Sequence, residues 1–377
     1  MKFYQRDLDK KITANLQPNK VIILLGARRT GKTFLLNQII KRRSEKYLFL
    51  NGEDVSTFDL LKRRSIENYK NLLGTKRLLI IDEAQKIPDI GSILKLMIDG
   101  ISNLKVIVSG SSAFDMMNTL GEPLTGRKYT FHLFPLSVGE IYNNEEETIS
   151  KDRLFLMLIY GNYPELTTLR DINSKREYLR EIINSYLLKD ILLFENIKNS
   201  TKIFNLLRLI AFQIGGEVSY QELGKQLGMS KNTVEKYLNL LQKVFILFKL
   251  GGYSKNLRKE ITKNSKWYFY DNGIRNAIVA NFLNISVRGD VGQLWENFII
   301  SERMKFIKNN SLFANTFFWR TYDRQEIDLV EERDGALFAY EFKWKNEKVK
   351  KPRAWSKAYP TSGFEVISQD NYLQWLR

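Results

Sequence analysis

The chain contains no cysteine and a single histidine. Without cysteine it can form no disulfide and cannot hold zinc or an iron–sulfur cluster through thiolates. The lone histidine, His132, also excludes zinc sites with several histidine ligands. Because His132 lies in the apolar stretch 129–134, we expect it to be an ordinary strand residue without a functional role.

Long apolar runs are also absent. Runs such as residues 21–25 are far shorter than the roughly 20 residues that a helix needs to cross a bilayer. The first residues lack the apolar core of a signal peptide. We therefore expect a cytoplasmic protein with no membrane partner.

Acidic residues are outnumbered, since 42 Asp and Glu stand against 59 Lys and Arg and give a net charge of +17. Such a field attracts polyanions, double-stranded DNA among them. A basic protein without any such partner has the same composition, so charge alone leaves both alternatives open.

The length and the apolar pattern predict several domains, because 377 residues exceed one ordinary core. In the first third, helical patterns alternate with short apolar runs at 21–25, 47–50, 78–81 and 106–109. Such a pattern is typical of a parallel sheet covered on both faces. Long helical patterns follow Pro135, and aromatic-rich strands return from about residue 292. The expected fold class is α/β, then a helical section, then a small α/β region.

Residues 26–33 (GARRTGKT) match a phosphate-binding loop between an apolar strand and an amphipathic run. Glycines let several backbone N–H groups point at one anion. Lys32 would reach the β- and γ-phosphates, Thr33 would bind Mg²⁺, and the positive helix end would face the phosphates. The predicted nucleotide-binding residues here are Gly26, Ala27, Arg28, Arg29, Thr30, Gly31, Lys32, Thr33 and Phe34.

A second element, residues 78–85 (LLIIDEAQ), is an apolar strand that ends in two adjacent acids. Asp82 would hold Mg²⁺ through water, and Glu83 would orient or deprotonate the attacking water, because phosphoryl transfer requires positioning and charge neutralisation. The expected cofactors are therefore ATP and Mg²⁺, with Lys32 and Glu83 as catalytic residues of hydrolysis.

Three further features near the site have more than one interpretation. Ser109 is the last residue of the apolar run 106–109 and Ser111 follows it, and either can sense the γ-phosphate. Arg127 can be an arginine finger across the subunit boundary of a homo-oligomer, a surface residue, or a support for its own loop. Arg28 and Arg29 can stabilise phosphate charge or bind neighbouring parts of the sheet.

These residues resemble a widespread family of prokaryotic AAA-type ATPases whose C-terminal region is nuclease-like. The resemblance runs over nearly the whole chain and is carried by GARRTGKT (26–33), DEAQ (82–85), SGS (109–111), LTGR (124–127), FPLS (134–137), GNYPE (161–165) and LWEN (294–297). It implies architecture more firmly than it implies a biological role.

Residues 219–243 follow a helix-turn-helix pattern, with Ser219 and Ser230 placed as N-caps around a turn at Gly228. On the second helix, the expected buried face is Val234, Leu238 and Leu241, and the outward face is Lys231, Asn232, Glu235 and Lys236. Strands at 244–250 and 266–270, with a basic stretch between them, can form a wing. Such a motif can enter a DNA major groove or serve as a protein–protein spacer.

Near the C-terminus, a two-residue turn at Asp334 and Gly335 predicts a hairpin whose cross-strand partners have numbers that sum to 669. Asp328 then lies opposite Glu341, and Lys343 shares their face. Two carboxylates about 5 Å apart repel by roughly 3 kcal/mol at an effective dielectric of 20. The pair therefore needs a cation, either Mg²⁺ or Lys343.

This Asp, then Glu-x-Lys, pattern resembles the restriction-endonuclease-like core. The resemblance implies that Asp328 and Glu341 hold Mg²⁺, that Lys343 activates water, and that Glu296 is an additional acid. Glu341 and Lys343 are then candidate catalytic residues. The alternatives are a fold retained without cleavage and a surface ion pair between Lys343 and the acids.

The sequence thus predicts an ATP-hydrolysing AAA-type ATPase whose nucleotide state controls DNA engagement by a winged helix and a Mg²⁺-dependent nuclease-like module. The alternative is an ATP-dependent signalling switch or scaffold that binds proteins and has no nuclease activity. The expected domains are the ATPase domain (1–145), a helical lid or linker (146–205), a winged helix (206–285) and a restriction-endonuclease-like domain (286–377).

Overall fold

The computed structural model describes residues 4–111, 123–145, 149–187, 200–254 and 265–376. These residues form two compact units. The N-terminal unit comprises the described residues of 3–134 with 243–245, and the C-terminal unit those of 135–242 and 246–377. Within the described ranges, no helix is both long and apolar enough to cross a membrane.

The N-terminal unit is built on a five-stranded parallel sheet with the order β2-β3-β4-β1-β5. Its strands are β1 (Val21–Leu25), β2 (Tyr47–Asn51), β3 (Leu78–Asp82), β4 (Lys105–Gly110) and β5 (Lys128–His132). Its helices are α1 (Asp7–Asn15), α2 (Lys32–Lys41), α3 (Val55–Leu61), α4 (Ile66–Leu73) and α5 (Ile90–Gly100), with a 3-10 turn at Ala84–Lys86. The predicted α/β class is confirmed, and His132 is a strand residue.

Strands β1 and β3 are buried on both faces, which explains their unbroken apolar sequences. On one face, Ile22 and Leu24 pack with Ile12 of α1 and Leu36 of α2. The sheet order places β4 between β1 and β3. Because all three strands are parallel, their carboxyl ends meet at one edge, where polar side chains can gather around a ligand.

The C-terminal unit contains a seven-stranded sheet with the order β12-β11-β10-β9-β7-β8-β6. Its strands are β6 (Glu217–Val218), β7 (Leu247–Gly252), β8 (Ser265–Phe269), β9 (Asn315–Arg320), β10 (Glu326–Arg333), β11 (Ala336–Phe342) and β12 (Gly363–Ile367). Parallel pairing of β7 with β9 joins the predicted wing strands to the nuclease-like strands. Strands from both sides of the domain boundary predicted at 285/286 therefore belong to one continuous sheet.

Helices complete this unit. They are α6 (Val138–Asn144), α7 (Lys151–Tyr160), α8 (Ile172–Glu181), α9 (Ser200–Phe212), α10 (Tyr220–Leu227), α11 (Lys231–Lys243), α12 (Asn272–Ile278), α13 (Val291–Asn309), α14 (Arg353–Ala358) and α15 (Tyr372–Trp375). Shorter helical turns lie at Pro164–Thr167 and Ile285–Val287, and a π-helical segment lies at Ile182–Leu187.

The helix-turn-helix geometry is confirmed in α10 and α11. Ser219 Oγ accepts from the backbone N–H of Glu222 at 3.4 Å, and Ser230 Oγ accepts from that of Thr233 at 3.1 Å. Gly228, with φ of 60°, ends α10 in the left-handed region that favours glycine. On α11 the predicted inner residues are buried and the predicted outer residues are exposed. A role as a winged helix stays a prediction, and residues 255–264 of the basic stretch lie outside the described residues.

The predicted hairpin register is also confirmed. Leu329 pairs with Tyr340 and Arg333 with Ala336, so paired numbers sum to 669. Asp334 and Gly335 have φ of 49° and 76°, the positive values that a tight type I′ turn requires.

Candidate functional site

The loop between β1 and α2 depends on glycine at two positions. Gly31 has φ of 94°, a conformation that residues with a Cβ rarely adopt. At Gly26, a Cβ would lie 2.2 Å from the carbonyl oxygen of Leu133. From the sequence, both glycines are expected to let the backbone approach a phosphate. At Gly26, packing inside the protein already excludes a side chain.

The structure brings together the lysine and threonine of this loop with Asp82, the last residue of β3, and Glu83, which follows it. Lys32 is buried, and its Nζ donates to the carbonyl oxygens of Gly26 at 3.0 Å and Ala27 at 3.1 Å. The same Nζ lies 3.9 Å from Glu83 Oε1. Thr33 Oγ1 donates to Asp82 Oδ2 at 2.6 Å.

Thr33 and Asp82 fit a magnesium ion. Their hydroxyl and carboxylate oxygens are adjacent at the carboxyl edge of the sheet. Mg²⁺ prefers oxygen donors and takes only one or two carboxylates when phosphates and water supply its other ligands. These two residues would therefore hold the ion beside a bound nucleotide.

Glu83 is held in an unusual backbone conformation, with φ of 50°. Its N–H lies 3.2 Å from Ser109 Oγ, and Ser109 Oγ also donates to Asp82 Oδ1. Left-handed backbone in a residue other than glycine costs of order 1 kcal/mol, so the surrounding contacts must hold it in place. Ser109 thus connects the two acids through the neighbouring strand.

Gln85 is a site residue that the sequence reasoning missed. Its Nε2 donates to Glu83 Oε2 at 2.6 Å and to Ser111 Oγ at 3.1 Å. The motif that contains it was visible, but no spacing rule pairs Gln85 with Ser111. The two predicted sensor candidates therefore have different contacts, since Ser109 bonds to Asp82 and Ser111 to Gln85.

Arg6 is a second missed residue, at the start of α1. It is buried, and its guanidinium donates to the carbonyl oxygens of Thr30 at 2.8 Å and Phe134 at 2.6 Å. One end of the phosphate-binding loop is thereby tied to the end of the sheet. A single arginine ahead of a helix carries no sequence signal for this contact.

Among the described residues, Arg127 contacts Asp99 and no residue of the nucleotide site. It immediately precedes β5, and its Nε lies 3.3 Å from Asp99 Oδ1 on α5. Because β5 runs parallel to β1, Arg127 lies at the amino end of these strands and the loop lies at their carboxyl end, about 20 Å away along the strand. The finger role across a subunit boundary stays a prediction. Arg127 ends the run 121–127 (GEPLTGR), of which residues 121 and 122 lie outside the described residues.

The remaining predicted loop residues lie on the surface side of the site. Arg28 is half-buried, Arg29 is exposed with φ of 65°, and Phe34 on α2 is 45% exposed. Their contact with a nucleotide stays a prediction.

In the C-terminal unit, two residues of the predicted nuclease site, Glu296 and Asp328, lie near a buried lysine that the sequence reasoning did not single out. Lys266 Nζ lies 3.6 Å from Glu296 Oε1 and also bonds to Glu326. We call the group formed by Lys266, Tyr268, Glu296, Glu326, Asp328 and Glu341 the Lys266 cluster. Tyr268 Oη donates to Glu296 Oε1 at 2.7 Å, and the Asp328 carboxylate accepts from the N–H of Phe342 at 2.8 Å.

The charged side chains of this cluster shift one another's pKa. Burial, with the charges of Glu296 and Glu341 adding to it, raises the pKa of Asp328 well above its usual range. Burial alone would lower the pKa of Lys266, but the carboxylates of Glu296, Asp328 and Glu326 outweigh it and raise that pKa. Lys266 is therefore held in its charged form among acids.

The predicted metal site in this part of the chain stays a prediction. In the part of the chain that the structure describes, no three His, Asp or Glu side chains are grouped so that they could hold a metal ion. Glu341 instead contacts Lys343, with Oε1 and Nζ 2.9 Å apart. Glu296, Asp328 and Glu341 lie in one neighbourhood, as predicted, but lysine ammonium groups neutralise the two glutamates.

Three family models match separate parts of the chain. Residues 18–142 match a family model described as an AAA domain. Residues 151–286 and 291–373 match two models described as domains of unknown function, DUF8612 and DUF4143.

Relatives of the whole chain occur in bacteria and archaea. An uncharacterized protein of Mycobacterium tuberculosis is 24% identical over 342 residues, covering 90% of this chain and 74% of the relative. One of Methanocaldococcus jannaschii is 25% identical over 400 residues, covering 97% and 88%. The solved structure of a Walker-type ATPase of Pyrococcus abyssi superposes with a TM-score of 0.53 at 15% identity, over 74% of this chain and 96% of that one. The chain thus contains a region similar to an AAA domain, and its fold is similar to that of this solved structure.

Proposed function

We propose that this protein binds ATP with Mg²⁺ and hydrolyses it. The observation that carries the proposal is the 2.6 Å hydrogen bond from Thr33 Oγ1 to Asp82 Oδ2. It brings the phosphate-binding loop and the acidic end of β3 into one site, with Glu83 beside Lys32. The AAA match over residues 18–142 supports the same proposal.

In the proposed reaction, Lys32 and the loop N–H groups bind the β- and γ-phosphates. Mg²⁺, held by Thr33 and Asp82, would neutralise charge on the phosphates. Glu83 orients a water molecule and accepts its proton while the water oxygen bonds to the γ-phosphorus. The bond from that phosphorus to the β–γ bridging oxygen breaks, which yields ADP and inorganic phosphate.

The test compares steady-state ATP hydrolysis and ATP binding in the wild type and the Glu83→Gln variant. We expect the variant to bind ATP with unchanged affinity and to turn it over at least about 100-fold more slowly, because it lacks the base. Glu53→Gln, an exposed position in the same unit, is the matched control and should keep wild-type turnover. Equal rates for Glu83→Gln and the wild type would contradict the assignment.

We propose further that nucleotide state controls DNA engagement through the exposed start of α11. Lys231 and Lys236 are exposed there, while the apolar face of the helix is buried. The net charge of +17 favours a polyanionic partner. A helix presented in this way can enter a major groove.

Fluorescence anisotropy with labelled double-stranded DNA tests this proposal, with and without ATP and Mg²⁺. The Lys231→Ala, Lys236→Ala double variant should bind more weakly and reduce the salt slope by about one per lysine that contacts phosphate. Lys95→Ala, an exposed helical lysine in the N-terminal unit, is the control. If the double variant binds DNA as tightly as the wild type, or if DNA binding is the same with and without ATP, the protein-binding switch is favoured instead.

The second candidate function is that switch or scaffold, without nuclease activity. The ion pairs that engage Lys266 with Glu296 and Glu326 favour it over Mg²⁺-dependent cleavage. A plasmid-nicking assay with the wild type, Asp328→Ala and Lys343→Ala separates the two. Metal-dependent nicking by the wild type that both variants lose would establish the nuclease.

A further inference from the structure

Lys266 is buried inside the C-terminal unit, unlike the lysine of a surface ion pair. Its side chain is 2% exposed, on a strand whose five residues are all buried. Burial removes the lysine ammonium from water, which is strongly unfavourable unless the charge is paired. Here it is paired twice, since Nζ bonds to Glu326 and lies 3.6 Å from Glu296 Oε1.

The carboxylates around Lys266 come from separate elements. Glu296 belongs to α13, and Glu326 and Asp328 belong to β10, two residues apart at an irregularity in the pairing of β10 with β9. Lys266 and Tyr268 are also two residues apart, on β8. The Tyr268 hydroxyl donates to Glu296 Oε1 at 2.7 Å, so this carboxylate is contacted by both β8 residues.

Contacts within the protein hold Glu296 in place on its other side as well. A Cβ on Gly215 would lie 2.8 Å from Glu296 Oε2, so a glycine there leaves room for the carboxylate. Gly215 also has φ of 78°, which independently favours glycine. The Glu296 carboxylate therefore lies between the Lys266 and Tyr268 side chains and the Gly215 backbone.

We propose that Lys266 is the fixed cation of this carboxylate cluster and supplies the positive charge that a divalent metal would otherwise provide. A divalent metal ion would have to displace an ammonium that is already buried and paired, and it would need about six oxygen ligands. The wild-type cluster is therefore closed to divalent metal, and the C-terminal unit keeps its acids as a structural centre. This inference does not depend on ATP hydrolysis or on DNA binding.

Mn²⁺ titration of the nucleotide-free full chain, followed by electron paramagnetic resonance, tests the proposal. The wild type and its Glu296→Gln variant should bind the same amount of Mn²⁺, because Glu296 holds no metal. The Lys266→Met variant should gain a Mn²⁺ site, and the double variant Lys266→Met, Glu296→Gln should lose it again.

Lys343→Met is the matched control, since Lys343 pairs with Glu341 but is 33% exposed. It should gain no site, because Lys266 remains in place. Wild-type Mn²⁺ binding that Glu296→Gln abolishes would overturn the proposal, as would a folded Lys266→Met variant that gains no site. If Lys266→Met fails to fold, the wild type and Glu296→Gln still test the proposal. Equal Mn²⁺ binding by the two supports it, and weaker Mn²⁺ binding by Glu296→Gln refutes it.

Discussion

At the residue scale, Gln85 connects the proposed catalytic acid to the end of the neighbouring strand. It donates to Glu83 Oε2 and to Ser111 Oγ from one amide nitrogen. Glu83 already has a left-handed backbone. The position of the Glu83 carboxylate therefore depends more on the hydrogen bond from Gln85 than on local backbone preference.

We expect Gln85→Ala to lower the ATP turnover number by roughly 10- to 100-fold with ATP affinity nearly unchanged, because a small misplacement of a catalytic group slows the chemical step. Steady-state kinetics and nucleotide titration measure the two effects. Gln17→Ala, which alters an exposed glutamine of the same unit, should change neither. A loss of affinity equal to the loss of turnover would indicate that Gln85 acts in binding instead.

Asp290 gives a prediction about pH. Burial raises its pKa, but hydrogen bonds from Arg288 and Arg275 outweigh burial and lower the pKa to about 2. A depressed folded-state pKa stabilises the protein above the unfolded value of about 3.9, and this stability is lost as pH falls towards 2.

Asp290→Asn should therefore lower the free energy of unfolding by roughly 2 kcal/mol at neutral pH. The difference from the wild type should narrow as pH falls from 4 to 2. Urea unfolding at several pH values measures it, with exposed Asp323→Asn as the control. A difference that stays constant over this range would contradict the ion-pair explanation.

At the element scale, local rules account for the hairpin and the helix-turn-helix. Both β-turn residues, Asp334 and Gly335, have positive φ, and both serine caps accept a backbone N–H as expected. These features need only residues a few positions apart, so their sequence signals were sufficient. The β7–β9 pairing needs strands that are far apart in the chain, and no local pattern predicted it.

Gly335→Ala tests the turn. A Cβ there would meet nothing within 4 Å, so any loss comes from the φ of 76° alone. We expect the free energy of unfolding to fall by about 1 kcal/mol. Gly289→Ala, which is also in open space but has no positive φ, should cause no loss. Equal effects of the two substitutions, measured by urea unfolding, would count against the strain argument.

At the scale of the whole molecule, two compact units share one chain, and the nucleotide site lies entirely within the N-terminal unit. A ligand that binds only the folded state stabilises it, by about 2.7 kcal/mol when its free concentration is 100 times its Kd. ATP with Mg²⁺ should therefore raise the thermal unfolding temperature of this unit.

Differential scanning calorimetry of the full chain measures that shift. Lys32→Ala should lose it, because the variant lacks the cation that binds the phosphates, and Lys95→Ala should keep it. A full shift in Lys32→Ala would show that the stabilising nucleotide binds somewhere other than the proposed loop.

The sequence by itself determined the α/β class, the phosphate-binding loop, the acids after β3, the helix caps and the hairpin register, because each depends on periodicity or on neighbouring residues. Only the tertiary structure decided the contacts of Gln85 and Arg6 and the position of Lys266. Lys266 contacts Glu296 and Glu326, which are 30 and 60 positions later in the chain. The sheet order brings the strands and the helix of these three residues together. The topology places this buried cation among acids, because short-range sequence patterns do not show which distant side chains become neighbours in the fold.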